Sequence, residues 1–277
     1  MKIIKVRFYG GIGNQLFQYA TARALLKKND VLLLDCTGYG QDYLDRGFAL
    51  DNFKIKGLKI TNKYILKLFK KNTKLNRIVA AAGLFKNVTE QSFYFHTNLN
   101  AEINYLTSIE GYWQTEEYFK SIKNTLVNEV IPLTIPAFPS FMQHPQTVAV
   151  HVRRTDYLTN PLYGFLGEAY YQHAIAYFRS IVHNPFFVFF SDDMAWCRKN
   201  FKDIECVFFD EKDWEQDYLQ LYLISKCKHQ IIANSSFSWW GAWINTNENK
   251  KVIRPANPFN NKQLLYENYY PQEWIAI

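Results

Sequence analysis

Cysteine is scarce in this chain: Cys36, Cys197, Cys206 and Cys227 are the only four in 277 residues. None stands in a Cys-x-x-Cys pair or at zinc-ligand spacing, which argues against a structural zinc site or a disulfide framework. No apolar run approaches the length of a membrane span. No signal-peptide pattern opens the chain, and strand-like sequence begins at Met1. The expectation is a reducing cytoplasm with free thiols. Low-complexity segments and short-period repeats are absent. No Asp-x-Asp stands at a strand end to clamp a nucleotide-bound metal.

A chain of 277 residues accommodates two α/β domains. With 48% hydrophobic residues it holds enough apolar mass for real cores. Aromatic residues make up 17%, which suits flat amphipathic ligands but is also ordinary core filling. The net charge of +7 favours anionic partners. Lys63, Lys67, Lys70, Lys71 and Lys74 alternate with Ile65, Leu66, Leu68 and Phe69 in a basic amphipathic pattern. It reads as a solvated helix face in preference to a membrane-docking one.

The chain opens with a strand over Lys2–Phe8, a glycine turn, a helix over Leu16–Lys28 and a second strand over Val31–Asp35. Further on, Tyr64–Phe85 has helical character, Thr107–Trp113 reads as a strand and Glu116–Val130 as a helix. Pro132, Pro136 and Pro139 stiffen the next segment, which places an inter-domain linker at about 131–146. The second half alternates strands (Thr147–Val152, Phe186–Phe190, Cys206–Phe209, His229–Ala233, Lys251–Ile253) with helices (Gly167–Val182, Met194–Phe201, Trp214–Lys226, Ser236–Ile244). That alternation implies parallel sheets covered on both faces. The expected architecture is α/β, with two Rossmann-like domains, 1–140 and 141–277, facing a cleft.

Four motifs stand at expected strand ends. His151-Val152-Arg153-Arg154-Thr155-Asp156 sets two adjacent arginines after a buried strand. Buried arginines need a compensating anion, and the guanidinium fork suits phosphate oxygens two at a time; the alternative is an exposed turn whose arginines pair with nearby carboxylates. By strand alternation His151 and Arg153 share one face and Arg154 takes the other. His151 is either a donor to phosphate or ribose or a satisfied core residue. Gly10-Gly11-Ile12-Gly13-Asn14-Gln15 lets main-chain N–H groups approach a ligand at a helix start. The third glycine of a dinucleotide fingerprint is replaced by Leu16, although Asp35 sits where a ribose-binding acid would.

Phe190-Ser191-Asp192-Asp193 ends an apolar strand in two carboxylates. One acid caps the following helix, and the other can accept from the N1–H and N2–H of guanine. In Asn234-Ser235-Ser236, hydroxyls and free N–H groups at a helix start form a phosphate cradle, or simply a capped helix. Trp239, Trp240 and Trp243 follow as core residues. Together the four motifs fit one nucleoside diphosphate.

These motifs, with Gly111-Tyr112-Trp113-Gln114, make the chain similar over essentially its whole length to the bacterial galactoside α-1,2-fucosyltransferases, glycosyltransferase family 11. The segments 40–105 and 255–277 carry no pattern of use. The resemblance implies a GT-B fold with GDP-β-L-fucose bound mainly by the C-terminal half and acceptor by the N-terminal half. It implies inverting transfer of fucose to the 2-hydroxyl of a terminal galactose, with no metal or other cofactor. By that match Arg153 binds the β-phosphate with His151 nearby and Arg154 beside it. Asp192 or Asp193 reads guanine, Asn234, Ser235 and Ser236 border phosphate, and Gly11, Gly13 and Asn14 approach from the first half. Asp156 is the first candidate for catalytic base and Glu168 the second. A lipid-linked glycan acceptor would bring peripheral contact with the inner face of the membrane.

The rival readings are a fucosyltransferase of another linkage or acceptor, a non-catalytic nucleotide- or glycan-binding module, and a nucleic-acid binder. The last is disfavoured, because 25 acidic residues spread the charge and no recognition motif appears. GDP binding without sugar release would select the binding module.

Overall fold

A computed structural model describes residues 1–39, 47–60, 64, 66, 69, 82–90, 95, 97–160, 163–259 and 268–277. The basic amphipathic segment expected to be helical from Tyr64 onward lies mostly outside them. The chain divides into two compact units, Met1–Val130 and Ile131–Ile277.

In the first unit β1 (Ile3–Arg7) leads through the glycine turn into α1 (Ile12–Ala24). Then come β2 (Val31–Asp35), β3 (Leu58–Lys59), β4 (Phe85–Thr89), β5 (Leu106–Glu110) and α2 (Lys123–Glu129). The sheet order is β3-β2-β1-β5-β4, with every pair parallel. Helix α1 is buried by its apolar residues and also by Gln15 and Gln18. Gln15 Nε2 donates to the carbonyls of Gly10 and Gly47, while its Oε1 accepts from Ala49 N. Gln18 accepts from Tyr9 N and donates to Tyr9 O. These two buried amides pair with main-chain groups of the turn and of the segment beside it, and so hold the glycine turn.

In the second unit β6 (Thr147–Val152) is buried along its whole length, as a central parallel strand must be. It is followed by α3 (Glu168–Ile181), β7 (Phe186–Ser191), α4 (Met194–Asn200), β8 (Cys206–Phe208) and α5 (Asp217–Lys226). β9 (His229–Ile231), α6 (Ser236–Trp243), β10 (Val252–Arg254) and β11 (Ile275–Ala276) complete it. The parallel sheet runs β11-β10-β9-β6-β7-β8. Counted from β6, this is the 3-2-1-4-5-6 order of a doubly wound nucleotide-binding sheet.

The proline-rich segment expected to be a linker lies within the second unit. Trp214 Nε1 donates to Ala137 O, and Ile135, Phe141 and Met142 join the core beneath β7. The helix expected over Glu116–Val130 is broken: two 3-10 turns precede α2, and Phe119 at their junction has φ −141°. The strand expected to reach Trp113 stops at Glu110: Tyr112 N bonds the Glu90 side chain in place of a strand partner, and Trp113 takes a left-handed backbone with φ 57°. Phe85, read as a helix end, starts β4. No helix among the described residues is long and apolar enough to cross a membrane.

Candidate functional site

The order of the second sheet reverses between β6 and β9, and ligands of such sheets bind beyond the carboxyl ends of strands at that point. The chain leaves β6 as Arg153–Asp156, β7 as Asp192–Asp193 and β9 as Asn234–Ser236. Three of the four motifs therefore meet at one sheet edge. Gly11, Gly13 and Asn14 belong to the first unit.

The two arginines go separate ways, as strand alternation requires. Arg153 Nη2 lies 2.7 Å and Nε 2.9 Å from Asp156 Oδ1, and Nη1 lies 3.3 Å from Asp192 Oδ2. Its side chain is 26% exposed, so the fork reaches the surface of the site. Arg154 is held inside, 3.0 Å from Asp193 Oδ2, with its guanidinium in the corner formed by the perpendicular rings of Phe165 and Trp196.

The adjacent acids have distinct duties. Asp193 caps α4 by accepting from Trp196 N, and that N–H, followed by Arg154, holds its carboxyl below the ordinary range. Asp192 accepts from the N–H groups of Arg154 and Thr155 and from the Thr155 hydroxyl. It thereby stitches the end of β7 to the loop after β6. Both carboxylates offered as guanine readers are engaged with protein groups.

His151 is 6% exposed and packs on Phe237, with ring centroids 5.0 Å apart. Burial, then the nearby Arg153 charge, lower its pKa to about 3, so the imidazole is neutral at physiological pH. Asn234 Nδ2 lies 2.7 Å from Tyr163 O, 3.1 Å from Gly164 O and 3.1 Å from Pro258 O. Its amide N–H groups therefore tie three chain segments together. Ser235 caps α6 through Phe237 N, and Ser236 begins the helix. Glu168 opens α3 and accepts from Gln172.

His151 Nδ1, Arg154 Nη1 and Asn234 Oδ1 are buried without a hydrogen-bond partner among the described residues. Orphaned polar atoms are costly, and His151 Nδ1, at the end of β6, and Asn234 Oδ1, beyond the end of the adjacent β9, are able to take a polar partner.

Sequence reasoning missed the aromatic part of this site. Tyr157 stacks on Tyr163, with centroids 5.0 Å apart and planes at 14°, and Arg153 lies over its face. Burial pushes the Tyr157 hydroxyl up to about 12, against a bond to Ser235, which keeps it protonated. The available signal was a tyrosine directly after Asp156. Asp35, expected near a ribose, is instead a core residue: it is 5% exposed, 3.2 Å from Lys5 Nζ, and accepts from Thr37.

Comparison with known proteins gives a family and a fold. The model for Glycosyl transferase family 11 matches residues 3–277. An alpha-1,2-colitosyltransferase of Escherichia coli is 32% identical, covering 100% of this chain and 99% of the relative. The O-antigen biosynthesis glycosyltransferase WbnK of Escherichia coli is also 32% identical, over 92% of this chain and 95% of its own. The galactoside 2-alpha-L-fucosyltransferase SEC1 of Bos taurus is 27% identical over 67% of this chain and 49% of its own. Among solved structures, a mutant of Arabidopsis thaliana FUT1 in complex with GDP superposes with TM-score 0.53 at 11% identity, covering 98% of this chain and 75% of that one. That likeness shows the fold alone, which is the GT-B class of two α/β units.

Proposed function

The chain belongs to glycosyltransferase family 11, and from that premise we propose that it transfers L-fucose from GDP-β-L-fucose to the 2-hydroxyl of a terminal galactose. Transfer inverts the anomeric centre and uses no metal. The observation that carries this reading is the surface-reaching Arg153 fork beside the orphaned His151 Nδ1 and Asn234 Oδ1, at the switch point of a nucleotide-binding sheet.

The difficult step is departure of GDP from an oxocarbenium-like sugar, with negative charge growing on the β-phosphate. Arg153 bonds that phosphate through two donors, and the start of α6 at Ser235 and Ser236 adds a hydroxyl, free N–H groups and the positive end of a helix dipole. Donors already in place when charge develops cost no reorganisation, so they lower the barrier. Neutral His151 can donate one hydrogen bond without contributing charge.

Asp156 is the first choice for the base that accepts the acceptor proton. Its Oδ1 is held by Arg153, and phosphate capture of Arg153 would open that oxygen to the acceptor hydroxyl. Glu168, at the start of α3, is the second choice. Asp192 remains the candidate for reading guanine, with Asp193 the alternative; each carboxylate oxygen has two lone pairs and can accept a second donor.

A second reading replaces fucose with colitose, which is fucose lacking its 3-hydroxyl. It is favoured by the 32% identity to an alpha-1,2-colitosyltransferase over the full chain. The likeness to an O-antigen glycosyltransferase supports a lipid-linked acceptor reached from the cytoplasmic face of a membrane.

The deciding experiment is a screen of GDP-fucose and GDP-colitose against galactose-terminated acceptors, with linkage analysis of the product and a parallel reaction in chelator. An α-1,2 product formed equally well in chelator is expected. A different linkage, or activity lost in chelator and restored by manganese, overturns the corresponding part of the proposal. GDP binding with no transfer at all returns the chain to a binding module.

A further inference from the structure

The first sheet has its own switch point. From β1 the chain moves outward to β2 and β3, while β5 and β4 lie on the other side. The carboxyl ends of β1 and β5 therefore flank a place where ligands of α/β sheets bind. From β1 comes Tyr9 and then, in the first turn of α1, Asn14. From β5 comes Gly111-Tyr112-Trp113-Gln114. Gln114 Nε2 lies 2.8 Å from Asn14 Oδ1, and the Tyr9 and Tyr112 rings meet edge-to-face at 4.9 Å. All four side chains are half-buried.

This turn is strained and held from beneath. Trp113 is fully buried with φ 57°, a conformation that a bulky residue adopts only under constraint. The constraint is Glu90, just after β4. Its carboxylate accepts from Tyr112 N at 2.6 Å and Trp113 N at 3.1 Å. A Cβ at Gly111 would lie 2.4 Å from Glu90 Cβ, so only glycine lets the two strand ends come this close. Burial raises the Glu90 carboxyl above its ordinary range despite those two bonds. A half-buried acid locked onto two main-chain N–H groups and a strained tryptophan are more than a plain loop needs, and such outliers gather where geometry serves a ligand.

We propose that this turn is the acceptor-sugar subsite of the first unit: the amides of Gln114 and Asn14 bond neighbouring hydroxyls of a hexopyranose, Tyr9 and Tyr112 line it, and Glu90 is the positioning residue that aims Gln114. Primary amides present a donor and an acceptor side by side, which matches vicinal hydroxyls, and aromatic rings cover the C–H face of a sugar. The inference rests on the glycosyl-transfer reading, and it assigns Asn14 to acceptor, where the family resemblance implied donor.

The test uses the full chain and three variants, Gln114→Ala, Asn14→Ala and Glu90→Gln, with thermal melts to establish folding. Loss of one good hydrogen bond corresponds to about tenfold in affinity, so Gln114→Ala and Asn14→Ala should raise acceptor KM at least ~10-fold. Calorimetric affinity for GDP should stay within about twofold, well under the tenfold set by one bond. Glu90→Gln keeps shape but replaces one accepting oxygen with a donor. It should raise acceptor KM with GDP affinity intact, whereas a merely structural role would lower the melting temperature and leave KM alone.

A second readout does not depend on catalysis: saturation-transfer NMR of methyl β-D-galactoside with wild type and Gln114→Ala. Loss of the signal in the variant supports the subsite even where no fucose is transferred, in which case the transfer reading alone falls. Folded variants with unchanged KM and unchanged sugar signal, or with weakened GDP binding instead, overturn the subsite and leave the transfer reading standing. A wild type that neither transfers nor gives a sugar signal overturns both.

Discussion

Arg154 Nε lies 3.0 Å from Asp193 Oδ2, and Asp193 is at the same time the N-cap of α4. One carboxylate thus fixes the helix after β7 and the arginine after β6. The guanidinium sits 4.2 Å from the Trp196 ring centroid and 4.3 Å from that of Phe165. Its neighbour Arg153 is turned to the site surface and held by carboxylates that a phosphate can replace. Adjacent arginines of identical chemistry are therefore separated into one clamped against aromatic rings and one that reaches the surface.

Arg154→Ala should destabilise the second unit. It removes a partly buried ion pair and two ring contacts and leaves Asp193 without its cation, a loss of at least ~2 kcal/mol. Chemical denaturation measures it. Stability within ~0.5 kcal/mol of wild type would show that the clamp is a surface pair, since exposed pairs contribute little.

Arg153→Lys separates charge from geometry. Lysine keeps the positive charge but cannot present two parallel donors, so turnover should fall by at least ~10²-fold with the fold intact. Steady-state kinetics beside a melting curve decides this. Ordinary turnover in a folded Arg153→Ala protein would reduce the arginine to an ion-paired turn.

Asp156→Asn distinguishes a base from a counter-ion. As the base, its loss should lower turnover by roughly 10²–10⁴ with donor affinity little changed. As a counter-ion that competes with phosphate, its loss should instead tighten GDP binding and leave turnover largely intact. Calorimetry and kinetics on the same variant read both quantities. The second outcome transfers the base assignment to Glu168.

His151 sets an acid limit on stability. An unfolded histidine titrates near 6.5, whereas burial lowers the folded value to about 3. Below pH 6.5 the unfolded chain takes up a proton that the folded one does not, so stability is unaffected above 6.5 and declines as pH falls toward 3. The decline is about 1.4 kcal/mol per pH unit for this group. Urea midpoints between pH 6.5 and 4 should fall less steeply in His151→Phe than in wild type. Equal slopes would show that the folded imidazole accepts the proton.

The fold was legible where local pattern and tertiary burial agree. Strands such as Thr147–Val152 are apolar throughout because both faces of a parallel sheet are covered, so composition alone marks them. β3 and β11, two residues each, carry too little sequence to register, and β4 (Phe-Lys-Asn-Val-Thr) lacks the apolar run of its neighbours.

The site was legible as a set of motifs at strand ends, not as a set of contacts. The sequence by itself determined that two arginines follow a buried strand, that two acids follow another and that a serine pair opens a helix. Those facts are local, because strand ends and caps depend on a few adjacent residues. Only the tertiary structure decided which arginine is clamped, which acid caps α4 and which one reaches back to the Arg154 and Thr155 N–H groups. It also decided that Asn234 binds the carbonyls of Tyr163, Gly164 and Pro258, and that Glu90 supports Trp113. The physical reason is that a polar side chain's role is set by the donors and acceptors surrounding it. In this fold those come from segments up to 71 residues apart for Asn234 and Tyr163, brought together by the order of the strands.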